Sequence, residues 1–126
     1  MQSNIFPGNT TITVRKSTAN ATPTTVKSFS VSEGQTVKIY ADVTAMKADG
    51  SEIGGLDLYA MFYRQAAGDV TKQGYTDGLP VNKTAGTTID VEFVANTVSQ
   101  QIDVKVTGIT ATTVKWLINI KKEILS

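Results

Sequence analysis

The fold is decided by two stretches near the C-terminus, IDVKVTGI at residues 102–109 and VKWLINI at residues 114–120. In each stretch apolar residues alternate with polar ones, which is the period of a β-strand with one buried face. The second stretch carries Trp116, the sole tryptophan of the chain, in its apolar row. We predict that the two strands form a hairpin, joined by a Gly/Thr turn, with both apolar rows in the core.

The period of two continues through the rest of the chain. Short alternating stretches are separated by turn residues, of which Asp49-Gly50 is a typical hairpin signal. The polar run from Lys16 to Thr25 predicts a loop or an extended crossing, and the run from Asp77 to about Gly86 predicts a polar connection. This organisation predicts an all-β fold, an antiparallel, jelly-roll-like β-sandwich of about eight strands. Residues 1–10 are predicted to form an N-terminal arm, and residues 11–126 a single β-sandwich domain.

The predicted core consists of apolar side chains that share one parity within their strands. Trp116 is its central member, and truncating a buried residue of this size to alanine costs about 3 to 5 kcal/mol. The predicted core residues are Val37, Ile39, Leu58, Phe62, Val104, Val114, Trp116, Ile118 and Ile120.

Composition excludes several classes of chemistry. The 126 residues include no cysteine and no histidine, so disulfides, thiolate catalysis, Ser-His-Asp triads and the usual zinc sites are absent. Twelve basic and eleven acidic residues give a formal net charge of +1, which predicts no long-range attraction to nucleic acid or to a membrane surface. Neither a leader segment nor a membrane span is predicted. We expect a cytoplasmic product without cofactors or metals that is later assembled.

The stretch Leu56 to Tyr63 is apolar on both faces, unlike its neighbours. Tyr59, Met61 and Tyr63 form the second apolar row, and we predict that they are the candidate interface. Three coverings are open: a loop of the same chain such as Tyr75 to Gly86, another copy of the chain, or a sugar stacked on the aromatic rings.

Acidic residues offer two weaker candidates. Asp90 and Glu92 lie two apart on one strand, with Cα atoms about 6.5 to 7 Å apart, a spacing superficially suited to a glycosidase pair. They fall in the polar register of a half-buried strand, so a solvated surface is the better interpretation. The segment from Asp49 to Asp57 lacks the spacing of a calcium loop, and Asp49-Gly50 is better explained as a turn. We predict that the protein is not an enzyme.

The order of motifs resembles that of small β-rich structural proteins of tailed bacteriophages, over about Val26 to Ile124. The resemblance comprises a Gly turn and long strand, an aromatic-rich strand ending in Phe-x-Arg, a Gly-punctuated loop and a C-terminal hairpin. These motifs are Val31 to Ile39, Gly54-Gly55 followed by Tyr59 to Arg64, Gly68 with Gly74, and Phe93 to Trp116.

The resemblance implies a noncatalytic virion part, such as a head-decoration, head-fibre or tail-associated protein. Such parts are often trimeric, so the expected partners are further copies, as a homotrimer, and other capsid or tail proteins of the virion. The expected location is the virion, after synthesis in the host cytoplasm. The alternative is a receptor-binding module that recognises host surface polysaccharide through exposed aromatics such as Tyr40 or Tyr75.

Overall fold

The computed structural model describes residues 10–80 and 89–126, with the backbone alone for residues 75–80. Among these residues no helix is able to span a membrane. The predicted arm, apart from Thr10, lies outside the described residues. The strands are β1 (Thr10–Thr18), β2 (Thr24–Ser30), β3 (Gln35–Lys47), β4 (Ile53–Arg64), β5 (Thr71–Pro80), β6 (Asp90–Asn96), β7 (Gln101–Thr107) and β8 (Val114–Leu125).

The strands form two antiparallel sheets. The five-stranded sheet has the order β1-β8-β3-β4-β5, and the three-stranded sheet has the order β2-β7-β6. The inward faces of both sheets supply one cluster of buried apolar residues. This arrangement confirms the predicted all-β, antiparallel sandwich of eight strands. The jelly-roll-like connectivity stays a prediction.

The predicted C-terminal hairpin is wrong. β7 pairs with β2 and β6, whereas β8 pairs with β1 and β3, so residues 108–113 cross from one sheet to the other. Alternation identifies the buried face of a strand but not its hydrogen-bonded partner, and the two apolar rows face the same core from opposite sheets. Gly108 begins this crossing, where a Cβ atom would lie 2.6 Å from Thr18 Oγ1.

Both polar runs that were predicted to connect strands begin as the ends of strands. β1 continues to Thr18, whose side chain is buried and accepts a hydrogen bond from Trp116 Nε1 at 2.9 Å. β5 continues to Pro80 and pairs with β4, while residues 81–86 lie outside the described residues. Pairing with a neighbouring strand outweighs the weak local propensity of these polar segments.

All nine predicted core residues lie in the buried cluster, and Trp116 is 3% exposed. Asp103 is also buried, on the outward side of β7. Its carboxylate accepts hydrogen bonds from Ser28, Gln101 and Asn96 at 2.7 to 3.1 Å. Burial, the largest single influence, acts to raise the pKa of Asp103, but these three hydrogen bonds together outweigh it and lower that pKa.

The β3–β4 hairpin positions the candidate site, and it turns at Asp49-Gly50 as predicted. Gly50 has φ +77°, a left-handed conformation that favours glycine. The Asp49 side chain accepts a hydrogen bond from the Ser51 backbone at 2.8 Å, and hydrogen bonding by Ser51 lowers the pKa of Asp49. The pairing then runs without a break from Met46 opposite Ile53 to Gln35 opposite Arg64.

Candidate functional site

The predicted interface residues lie on the outer face of the five-stranded sheet. Tyr59, Met61 and Tyr63 are half-buried and alternate along β4 with Leu58, Ala60 and Phe62, which are buried in the core. The segment from Tyr75 to Pro80, considered above as a covering loop, pairs with β4 as the next strand of the sheet. That part of the chain therefore lies beside the tyrosine row in the sheet.

An aromatic pair forms the centre of this face. Tyr59 lies directly opposite Tyr40 of β3, and the two rings stack with centroids 5.2 Å apart and planes 21° apart. A stacked pair of this kind contributes about 0.5 to 1.5 kcal/mol beyond its buried area. Tyr40 and the three predicted interface residues together are called the outer strip below.

Two lysines contact the stacked rings. The ammonium group of Lys38 lies 5.8 Å from the centroid of Tyr59, and that of Lys121 lies 5.8 Å from the centroid of Tyr40. A side-chain hydrogen bond with Tyr40 raises the pKa of Lys38 above its ordinary value, so this group stays protonated at neutral pH. Each ring thus contacts both a second ring and a cation, which reduces the ring surface left for stacking on a sugar.

A shallow groove of about 310 Å³ lies beside the aromatic pair. Asp42 of β3 and Asp57 of β4 are exposed in it and directly opposite each other, an arrangement of like charges that destabilises a sheet. Asn119 of β8 also lines the groove, and its Oδ1 accepts a hydrogen bond from Thr13 Oγ1 at 2.7 Å. The groove therefore presents carboxylates and an amide next to an aromatic side chain.

The other acidic candidates lie elsewhere. Asp90 and Glu92 are exposed on β6 of the three-stranded sheet, where Glu92 is opposite Lys105. Asp49 is in the turn of the β3–β4 hairpin, and Asp57 lies four residues inside β4. Within residues 10–80 and 89–126, no three His, Cys, Asp or Glu side chains are grouped to hold a metal ion.

Two features of this face were missed from the sequence, the Tyr40–Tyr59 stack and the Asp42–Asp57 pair. In each pair the two residues are equally far from the bond between Asp49 and Gly50. A hairpin turning about that bond places them opposite each other, so this register was the available signal. The side chain of Tyr75, the other aromatic considered for sugar binding, lies outside the described residues.

No protein-family model matches the chain, and no curated protein matches it. Among solved structures, it is similar to the tailspike protein of Acinetobacter baumannii phage AM24, with 12% identity and a TM-score of 0.46. It is also similar to the tailspike protein of Acinetobacter phage vB_ApiP_P1, with 14% identity and a TM-score of 0.38. The matches cover 91% and 98% of this chain but only 26% and 24% of the tailspike chains.

Proposed function

We propose that this protein is a noncatalytic structural component of a bacteriophage virion, acting through protein–protein assembly. The observation that carries the proposal is the outer strip, an apolar and aromatic row on the solvent-facing side of a two-layer sandwich. The sequence resemblance to small phage structural proteins supplies the class of particle. Capsid decoration, head fibre and tail-associated component are the three roles that this resemblance includes.

The chemistry of the outer strip suits contact with protein. Tyrosine and methionine are enriched at protein interfaces. Tyrosine buries a large area with its rigid ring, and the flexible methionine side chain adapts to irregular partners. The half-buried Tyr59, Met61 and Tyr63 would lose their remaining exposure against a flat protein surface. We infer that the partner is another copy, in a homotrimer, or a neighbouring capsid or tail protein.

The acidic residues of this face give little support for catalysis. Asp42 and Asp57 are exposed on an open sheet face, without the water-excluding surroundings that strengthen electrostatic catalysis. We therefore keep a noncatalytic role without cofactor as part of the proposal, with the virion as its location.

Co-sedimentation with purified capsids and with purified tails of the parent phage tests this function. We expect the protein to bind one of the two, and Tyr59→Ser combined with Met61→Ser to abolish binding. Leu117→Ser is the matched control, because Leu117 is a half-buried apolar residue on β8 of the same sheet, in the outward register. A strict monomer by light scattering that binds neither capsids nor tails would remove the proposal.

A second candidate function is recognition of host surface polysaccharide. The groove beside Tyr40 favours it, because the carboxylates of Asp42 and Asp57 can accept hydrogen bonds from sugar hydroxyl groups. A glycan array with the wild type and with Tyr40→Ala and Asp42→Asn variants tests it. Silence on the array, together with unchanged phage adsorption for both variants, would count against this candidate.

A further inference from the structure

One side of the sandwich is basic. It is the side where β1 and β2, the edge strands of the two sheets, come into contact. Lys16, Lys27 and Lys122 lie there in the inward register of their strands, opposite Trp116, Val104 and Ile39 respectively, which are all buried. The three lysines therefore line the open side of the core.

The charges of this basic side are not compensated by acidic neighbours. None of the three lysines takes part in an ion pair among the described residues, whose ion pairs involve other lysines and Arg64. The ammonium groups of Lys27 and Lys122 lie 5.9 and 4.9 Å from the centroid of the Phe29 ring. Burial, followed by the charge of Lys27, lowers the pKa of Lys122.

The opposite side of the sandwich is acidic. It is formed by the other two edge strands, β5 and β6, which are tied together where Lys72 Nζ donates a hydrogen bond to the Phe93 carbonyl at 2.9 Å. Asp90 and Glu92 are exposed on β6, and Asp69 is exposed just before β5. Lys72 also lies on this side, and Glu92 is opposite Lys105, so the three carboxylates exceed the two lysines by one. The net described charges of the two sides are therefore opposite in sign.

We propose that the basic side of one copy binds the acidic side of the next copy, in a head-to-tail contact. Complementary potentials of this kind orient partners and exclude wrong ones. The contact joins two different surfaces, so it can be repeated from copy to copy. If the rotations between successive copies add up to a full turn, the copies form a ring; otherwise they form a filament. Lys16 on β1 and Lys27 on β2 point inward, which disfavours strand-to-strand pairing at these two edges, so the contact is made by side chains.

This inference deepens the proposed assembly function and rests on it, because it names a second copy as the partner. It concerns the edges of the sandwich, while the outer strip on the sheet face remains available to a capsid or tail neighbour. The contact is electrostatic, so added salt should weaken it.

Charge reversal on the full chain tests the contact by sedimentation equilibrium over a series of protein and salt concentrations. We expect Lys16→Glu with Lys27→Glu to raise the dissociation constant about tenfold or more, and Asp90→Lys with Glu92→Lys to do the same. The variant with all four substitutions should recover the wild-type assembly. Arg15→Glu with Lys115→Glu is the matched control, because it reverses two exposed charges on the outward side of β1 and β8. Thermal unfolding confirms that each variant is folded.

Four results would overturn the inference. They are a monomeric wild type, assembly that neither reversal weakens, failure of the folded four-substitution variant to reassemble, and loss of assembly with the lysine reversal but not with the acidic reversal. The last result would indicate an anionic partner other than this chain. In each case co-sedimentation with capsids or tails would still report on the proposed function independently.

Discussion

Replacing Thr18 with valine should destabilise the protein through a single lost hydrogen bond. The Thr18 hydroxyl accepts the indole N–H of Trp116 at 2.9 Å, and both residues are buried, with 8% and 3% of their surface exposed. Valine has nearly the same shape as threonine, so Thr18→Val preserves packing while it leaves the N–H without its acceptor. An unsatisfied buried donor costs about 1 to 3 kcal/mol.

The expected shift in melting temperature follows from the chain length of 126 residues. Unfolding entropy is about 2.1 cal/mol/K per residue, so a loss of 1 to 3 kcal/mol lowers Tm by roughly 4 to 11 °C. Differential scanning calorimetry measures Tm, and urea titration measures the free energy of unfolding. Thr18→Ser is the matched control, because it keeps the hydroxyl group, and its loss should be limited to that of one methyl group.

A double-mutant cycle separates the hydrogen bond from other effects. Trp116→Phe removes the donor, so adding Thr18→Val to that variant should cost much less than it does in the wild type. If Thr18→Val is as stable as wild type, or costs the same in both backgrounds, the buried hydrogen bond contributes nothing and the reasoning is refuted.

Three further predictions concern the core and its polar contacts. Phe62→Ala should cost about 3 to 5 kcal/mol in urea titration, because Phe62 is fully buried; a loss under about 1 kcal/mol would contradict its place in the core. Gly108→Ala should cost about 1 to 3 kcal/mol by the same measurement, since the new Cβ would lie 2.6 Å from Thr18 Oγ1; unchanged stability would show that the crossing is looser than described. Asp103 has a folded-state pKa below its unfolded value, so its contribution is present above the unfolded pKa and lost as the pH falls through the folded one. Urea midpoints measured from neutral pH to about pH 2 should therefore fall more steeply in wild type than in Asp103→Asn, and identical slopes would refute this role.

Alternation alone was sufficient to predict which face of a clearly alternating strand is buried. The parity of Val37 and Ile39 predicts which side of β3 faces the core, because successive side chains of a strand point to opposite faces. The tyrosine row of β4 was identified in the same way, because its residues alternate along the strand with Leu58 and Phe62 and therefore point to the other face of the sheet. These features are local, so a single sequence contains them.

The pairing of strands across the sandwich was not predicted. Val104 and Trp116 alternate in the same way whether their strands are neighbours in one sheet or face each other from two, so the erroneous hairpin fits the same pattern. The extension of β1 to Thr18 was missed for a related reason, since its hydrogen bond with Trp116 joins residues far apart in the chain. Such contacts are set by tertiary packing and leave no local signal.

The acidic groove and the stacked tyrosines are intermediate between features predicted from local alternation and contacts set by tertiary packing. Neither Asp42 nor Asp57 is informative alone, but the Asp49-Gly50 turn fixes the register of the hairpin that brings them together. Applying that register along both strands gives the Tyr40–Tyr59 contact as well. A hairpin turn that is clear in the sequence therefore predicts which side chains lie opposite each other on the outer face of the hairpin, as well as the chain reversal itself.

The central claim is that the outer strip is a surface for assembly with other protein. A cryo-electron microscopy map of the parent phage particle, resolved well enough to place side chains, tests it most directly. Our account predicts that Tyr59, Met61 and Tyr63 are buried against a neighbouring polypeptide. A particle in which these three side chains face solvent, or from which the protein is missing, would contradict it.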